Sequence, residues 1–209
     1  MTPPPPPLTP AEASARVRAF LALLWRRYLA ALSARPLRTK CLTAGGVSAA
    51  SDVLAQALIA PSLALPRTLK FAAFGLCWSG PALHYWQRAV ERLFAGAPAG
   101  AATAARKVLL DQLTFGPACN IAFLSFFALA VAPRQPGAPS LAARLRADLP
   151  RVQLLAWRFW PLVAALNYAA VPPPLRPLTA NVAGLFWSTF LAASARRRAP
   201  PAPARIKAA

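Results

Sequence analysis

The sequence predicts an all-α integral membrane bundle with four transmembrane helices and additional amphipathic interfacial helices, and three observations carry this. Residues 41–60 (CLTAGGVSAASDVLAQALIA) are long and apolar enough to cross a ~30 Å hydrocarbon layer as a helix, and their one charge is Asp52. Comparable segments recur at 71–87, 112–132 and 178–195. The whole chain of 209 residues is 57% hydrophobic and 14% charged, with a mean hydropathy of +0.42, whereas soluble domains run at about a quarter charged. Its 24 Lys and Arg residues gather near the ends of the apolar segments, as they do beside crossing helices.

Taken in order, residues 1–13 read as a disordered Pro-rich tail. Over residues 14–33, Val17, Phe20, Leu21, Leu24, Tyr28 and Leu32 recur at helical spacing, with Arg16, Arg18, Arg26 and Arg27 between them. Such a helix lies in a membrane interface, and its acid-poor, Arg-bearing composition equally suits a mitochondrial transit peptide. Arg26 and Arg27 interrupt the only apolar core a secretory signal could use. The four spans follow. Between the third and fourth, residues 141–155 set Leu141, Leu145, Leu149 and Val152 against Arg144, Arg146, Asp148 and Arg151, which reads as a second interfacial helix. Residues 159–171 are apolar for only 13 positions and suit a separate re-entrant or tilted segment. Residues 196–209 form a basic Pro-rich tail, so that 14–195 is a single membrane domain.

Basic residues decide between four and five crossings. With four, 16 lie on the side of both termini and 8 on the other; with residues 159–171 crossing as well, the split is 12 to 12. The asymmetry expected of a membrane protein favours four, with both termini on the positive side.

Within the first span Ala44, Ser48, Asp52 and Gln56 share one helical face, flanked by the small-residue pairs Gly45/Ala49 and Gly46/Ala50. Asp52 and Gln56 either knit helices together or face a water-filled path. The second span holds Gly80-Pro81, which permits a kink, and then the only histidine, His84, either an interfacial hydrogen-bonding residue or a titratable group at a pore mouth. Tyr85 and Trp86 beside Arg88 belong to an aromatic belt. In the third region Lys107 and Asp111 are four apart and can pair on one face. Asp111, Gln112, Asn120 and Asn167 complete the set of intramembrane polar residues that could line a pore.

Other classes find little support. The net charge of +19 comes without a recognition helix or aromatic-spaced basic strand, which argues against nucleic acid. Cys41, Cys77 and Cys119 lie singly in separate apolar segments, as small packing residues do, with no disulfide or zinc spacing. There is no G-x-S-x-G, H-E-x-x-H, P-loop or dinucleotide-binding pattern, and one histidine with five acids leaves little for acid–base work or a metal. No catalytic activity and no cofactor are expected.

An ordered set of motifs, RPLRTKCLTAGG…SDVLAQ (35–56), GPALHYW (80–86), K…DQ…GP (107–117), WRFWPLVAALNYAAVPPPLR (157–176) and W…FL (187–191), resembles the Mpv/PMP family of peroxisomal and mitochondrial inner-membrane proteins. The resemblance implies a small four-span protein linked to passive passage of small solutes and to organelle homeostasis. It assigns family positions to Asp52, Gln56, Gly80, Pro81, His84, Asp111 and Gln112, and a C-terminal signature to Trp157, Trp160, Pro161, Asn167, Val171, Pro172 and Arg176, with Trp187 beyond it. Ser51, Ala164 and Ala192 depart from the pattern, and Ala164 removes a polar group where glutamine is common.

The expected function is therefore a channel or channel regulator for small solutes in an organelle membrane, the mitochondrial inner membrane first, with peroxisomal membrane or plastid as alternatives. A non-conducting structural or assembly protein is the rival. Expected partners are the lipid bilayer, small solutes or metabolites and a second copy of the chain, with no nucleic acid. The terminal RIKAA is not a peroxisomal S-K-L address.

Overall fold

The computed structural model describes residues 9–59, 62–131 and 137–196, and among these every regular element is helical. The chain divides into two compact units, residues 1–39 and 40–209. The first holds helix α1, Pro10–Ala34, which starts four residues before the periodic apolar pattern does. Its start is set by a capping box: Thr9 accepts from the Glu12 backbone N–H, and Glu12 accepts from that of Thr9 at 2.9 Å. The expected tails otherwise fall on 1–8 and 197–209, outside the described residues.

Helix α2, Pro36–Ile59, carries the first apolar segment into the second unit. Helix α3 covers residues 65–93 as Leu65–Phe74, a wide π turn Gly75–Ser79, and Gly80–Leu93. Helix α4, Ala101–Val131, contains two more π turns, Asp111–Phe115 and Phe127–Val131. Helix α5 is Leu141–Ala170; after a 3-10 turn, Pro173–Leu175, helix α6 is Arg176–Arg196. By length and composition alone, α4 is the one described helix that qualifies to cross a membrane, and no residue of its most apolar stretch is fully buried by the rest of the protein.

Two of the π turns have one cause. Each ends at a Gly-Pro pair, Gly80-Pro81 and Gly116-Pro117. A helical proline donates no hydrogen bond and crowds the carbonyl four residues back, and a widened turn accommodates both. The preceding glycine N–H accordingly reaches five residues back, Gly80 to the Gly75 carbonyl and Gly116 to that of Asp111.

The expected break between an interfacial helix at 141–155 and a separate segment at 159–171 is absent: α5 is one helix of 30 residues, roughly 45 Å long. Charge at its start and Pro150 and Pro161 within it split the sequence pattern. Proline inside a packed helix bends the rod without ending it, provided neighbours and local adjustment satisfy the freed carbonyls.

Packing is inverted relative to a soluble protein. Among the described residues, Asp52, Gln56, Thr68, His84, Gln87, Gln112, Asn167 and Arg176 are buried, while Leu42, Leu69, Leu109, Leu113, Leu129, Leu154, Leu162 and Phe186 are each more than half exposed. Apolar surface on that scale needs an apolar surrounding, and buried polar groups must then find partners within the bundle. Close approach of α2 and α3 rests on glycine. A Cβ on Gly75 would stand 2.4 Å from the Ala44 carbonyl oxygen, and one on Gly80 2.6 Å from the Cys41 Cα. Gly45 abuts Ala72 and Leu76, whereas Gly46 faces open space, so only one of the two small-residue pairs serves this interface. Aromatic rings join the other helices: Phe74 stacks on Phe126 between α3 and α4, and Phe159 on Trp187 between α5 and α6.

Candidate functional site: a polar-lined cavity between two charged knots

The polar residues separate into three places. The first is a knot between α2 and the start of α3. Asp52, whose side chain is fully buried, meets the Arg67 Nε through Oδ1 at 2.8 Å, close enough for an ion pair though poorly aligned for a hydrogen bond. Its Oδ2 accepts from Gln56 Nε2 at 2.6 Å and from Thr68 Oγ1 at 2.8 Å. Gln56 Oε1 in turn accepts the Ala64 backbone N–H at 2.6 Å, tying the α2–α3 loop to the same group. The i, i+4 spacing of Asp52 and Gln56 predicted their shared face. Arg67 and Thr68 were invisible as partners because they lie 15 and 16 residues away, across a turn.

A second knot joins α3, α4, α5 and α6. Glu91 accepts from Arg176 and, at 3.0 Å, from Lys107. Arg176 Nε also donates to the carbonyls of Asn167 and Val171, and its guanidinium lies over the Tyr168 ring, as does Lys107. Asn167 Nδ2 donates back to the Arg176 carbonyl at 3.1 Å. Arg176, Asn167, Val171 and Pro172 thus build one corner, in which the extended Val171 and Pro172 lead into the 3-10 turn and α6. Glu91 lies past the apolar stretch of α3. Partial burial pushes its carboxyl up, but the Lys107 hydrogen bond and the charges of Arg176 and Lys107 outweigh this and hold it below its ordinary value. This arrangement corrects the expected Lys107–Asp111 pair: Lys107 turns to Glu91, and Asp111 Oδ1 accepts instead from Trp86 Nε1 at 2.7 Å. Glu91 is one of only five acids in the chain, and that scarcity was the signal for it.

The third place is a half-open cavity of about 250 Å³ lined by α2 to α6, large enough to hold several waters. Of the expected pore residues, Asp111, Gln112, Asn120 and Asn167 line it; Asp52, Gln56 and His84 do not. Asn120 Nδ2 donates to Gln153 Oε1 at 2.9 Å across α4 and α5, and the Ser51 and Ser188 hydroxyls meet at 2.7 Å across α2 and α6. Gln87, Gln153, Ser188 and Tyr168, which were not singled out from sequence, and Ser51, noted there only as a departure from the family pattern, also line the space. Among the described residues, four buried polar atoms there make no well-aligned hydrogen bond: Gln153 Nε2 and Asn167 Oδ1, and Gln87 Oε1 and the Tyr168 hydroxyl, which lie near each other and near Trp86 without good alignment. Polar groups left this way in a low-dielectric interior cost on the order of 1–3 kcal/mol each unless water or solute reaches them. Among the described lining residues Asp111 is the one acidic or basic side chain, and Gln112 Nε2 holds its second oxygen at 3.1 Å.

The remaining signature residues are structural in the plain sense. Trp157 donates its indole N–H to the Gln112 carbonyl at 3.2 Å, Trp160 and Trp187 pack edge to face at the cavity wall, and Pro161 sits within α5. Gly80 and Pro81 set the α3 turn already described. No group of three or more His, Cys, Asp or Glu side chains that could hold a metal occurs among the described residues.

Residues 137–192, the last two helices with the Asn167–Arg176 corner, match the Mpv17 / PMP22 family. The chain is 36% identical over 172 residues to the peroxisomal membrane protein PMP22 of Arabidopsis thaliana, covering 82% of this chain and 89% of that one. It is 30% identical over 179 residues to the human mitochondrial inner membrane protein Mpv17, covering 83% and 98%. To bovine peroxisomal membrane protein 2 it is 31% identical over 199 residues, covering 88% and 98%. No solved structure matches the chain. Motif order, relatives matched over most of their length and the inverted packing agree: the chain belongs to the Mpv17 / PMP22 family of membrane proteins.

Proposed function

We propose that this chain is an integral protein of an organelle membrane, crossing it four times through α2, α3, α4 and α6, and that its cavity passes small solutes without enzymatic chemistry. The observation that carries the reading is the incompletely satisfied polar lining of a cavity reached by all five helices of an otherwise apolar-faced bundle. A bundle that needed its polar residues only for assembly would pair them, as the Asp52 knot does. Relatives named for the mitochondrial inner membrane and the peroxisomal membrane support an organelle address. The Arg-bearing α1 favours the mitochondrial inner membrane between the two.

Liposomes containing the full chain should release small polar solutes faster than empty ones. Asn120→Leu with Gln153→Leu should abolish the excess, and Asp52→Asn, outside the lining, should leave it unchanged. Wild-type liposomes that leak no faster than empty ones would overturn the conducting reading and favour a structural or assembly role. Protease protection of tags on the two ends tests the topology: both should be shielded together, and opposite accessibility would make α5 a further crossing.

A further inference from the structure

Lys40, His84 and Arg88 form a basic cluster that neither the cavity nor the two knots employ. α2 and α3 run antiparallel, and their contacts step from Asp52 against Thr68, through Ala44 against Gly75, to Cys41 against Gly80. His84 lies one helical turn beyond Gly80 and Arg88 one turn further, on the same face, so this register sets Lys40 beside both. The three are near enough for their charges to act on one another. Lys40 retains 9% of its surface and His84 4%, while Arg88 and the neighbouring Tyr85 are exposed and leave the cluster open toward the bundle's outer face.

Among the described residues no counter-charge serves them. His84 Nδ1 is buried without a hydrogen-bond partner, and neither Lys40 nor Arg88 has an ion-pair partner among the described residues. The nearest acids along these helices are committed, Asp52 to Arg67 and Glu91 to Arg176 and Lys107. A buried ammonium beside a guanidinium, with an imidazole nitrogen idle between helices, is unfavourable until an anion supplies acceptor oxygens. A point-charge donor, a forked donor and an imidazole placed side by side by the α2–α3 register match the several oxygens of a phosphate.

We propose that Lys40, His84 and Arg88 bind a phosphate group between α2 and α3. A membrane phospholipid headgroup and a free phosphate share this chemistry. Lys40 immediately precedes the apolar stretch of α2 and Arg88 immediately follows that of α3, which is headgroup depth if both helices cross; the lipid source therefore rests on the topology proposed above, whereas the site itself does not.

The full chain in a neutral detergent provides the test, with dioleoyl phosphatidylglycerol, dioleoyl phosphatidylcholine or inorganic phosphate added at matched ionic strength. Phosphatidylglycerol should raise the Tm of the wild type by about 5 °C or more beyond phosphatidylcholine, whose choline cation offsets its phosphate. Lys40→Gln and Arg88→Gln should each lose most of that rise. Without an added anion Lys40→Gln should melt no lower than wild type, because it removes an uncompensated buried charge, so the order of stability reverses when anion is supplied. The same reversal with inorganic phosphate in place of lipid would assign the free anion as ligand. If no anion raises the wild type more than Lys40→Gln, or Lys40→Gln is destabilised equally with and without anion, the site is refuted. Because His84 is the only histidine, histidine labelled with ¹⁵N at Nδ1 gives one imidazole signal in the wild-type protein. That signal should shift with phosphatidylglycerol and not with phosphatidylcholine; a signal that ignores every anion refutes the site even if the variants fail to fold.

Discussion

The Asp52 knot and the cavity are both polar, both buried and built within the same bundle, yet they differ in one respect. Around Asp52 the polar groups close on one another within 16 residues of chain, Oδ2 through hydrogen bonds and Oδ1 through the Arg67 ion pair; around Gln87 of α3 and Gln153, Asn167 and Tyr168 of α5, atoms without a well-aligned hydrogen bond or an ion pair stand beside open volume. Polar residues that satisfy each other hold helices together, and polar residues that do not require something else to enter. The intramembrane carboxylate that stands out most in the sequence thus falls on the holding side of that divide, and less conspicuous amides fall on the other.

The largest effect expected is from Asp52→Ala. Removing one partner of a buried, hydrogen-bonded ion pair costs about 3–5 kcal/mol, and the low end applies because Arg67, about 29% exposed, can turn toward solvent or headgroups. Thermal or denaturant unfolding in detergent should show it. A loss below about 1 kcal/mol would mean that the knot is not what joins α2 to α3, and the contrast with the cavity would fail.

Next comes Gly75→Ala. Its new Cβ would meet the Ala44 carbonyl, backbone that cannot rotate aside, and overpacking of this kind costs about 1–3 kcal/mol. Gly46→Ala, which faces open space, should be neutral or slightly stabilising through helix propensity. Equal unfolding midpoints for the two variants would show that α2 and α3 do not approach as closely as described.

Acid should act through the second knot. The folded-state carboxyl of Glu91 is held below its unfolded value, so its contribution is complete above the ordinary carboxylate range and is lost as pH falls through the lowered folded value. Wild type should be more stable than Glu91→Gln at neutral pH, and the two should converge as pH falls below the ordinary carboxylate range. A difference that persists unchanged into acid would remove Glu91 from the account. Half-exposure makes this a smaller term than the Asp52 knot.

The smallest stability effect, and the sharpest functional one, belongs to Gln153→Leu. Interhelical hydrogen bonds in membrane proteins average about 0.6 kcal/mol, so losing the Asn120 bond should barely move the melting temperature while solute release falls. Unfolding of the size seen for Asp52→Ala would make Gln153 a structural residue and erase the distinction between the two regions.

What the sequence determined by itself was local. Apolar segment length made the chain helical and membrane-bound, i, i+4 spacing put Asp52 and Gln56 on one face, and the motif order named the family, because each of these depends on composition or on neighbours within a turn or two. Even there, Pro150, Pro161 and the surrounding charges divided α5 into two segments, since sequence pattern counts a proline as an end while a packed helix merely bends at it. Tertiary structure alone decided which polar residues pair: Arg67 rather than solvent for Asp52, Glu91 rather than Asp111 for Lys107, Gln153 for Asn120. Those choices join residues 15 to 33 positions apart on separate helices, and no periodicity along one chain specifies which helix faces which. The cavity follows from the same cause, because the space between α2 and α6 exists only after five helices have packed, with the Gly75 and Gly80 contacts setting how closely two of them approach.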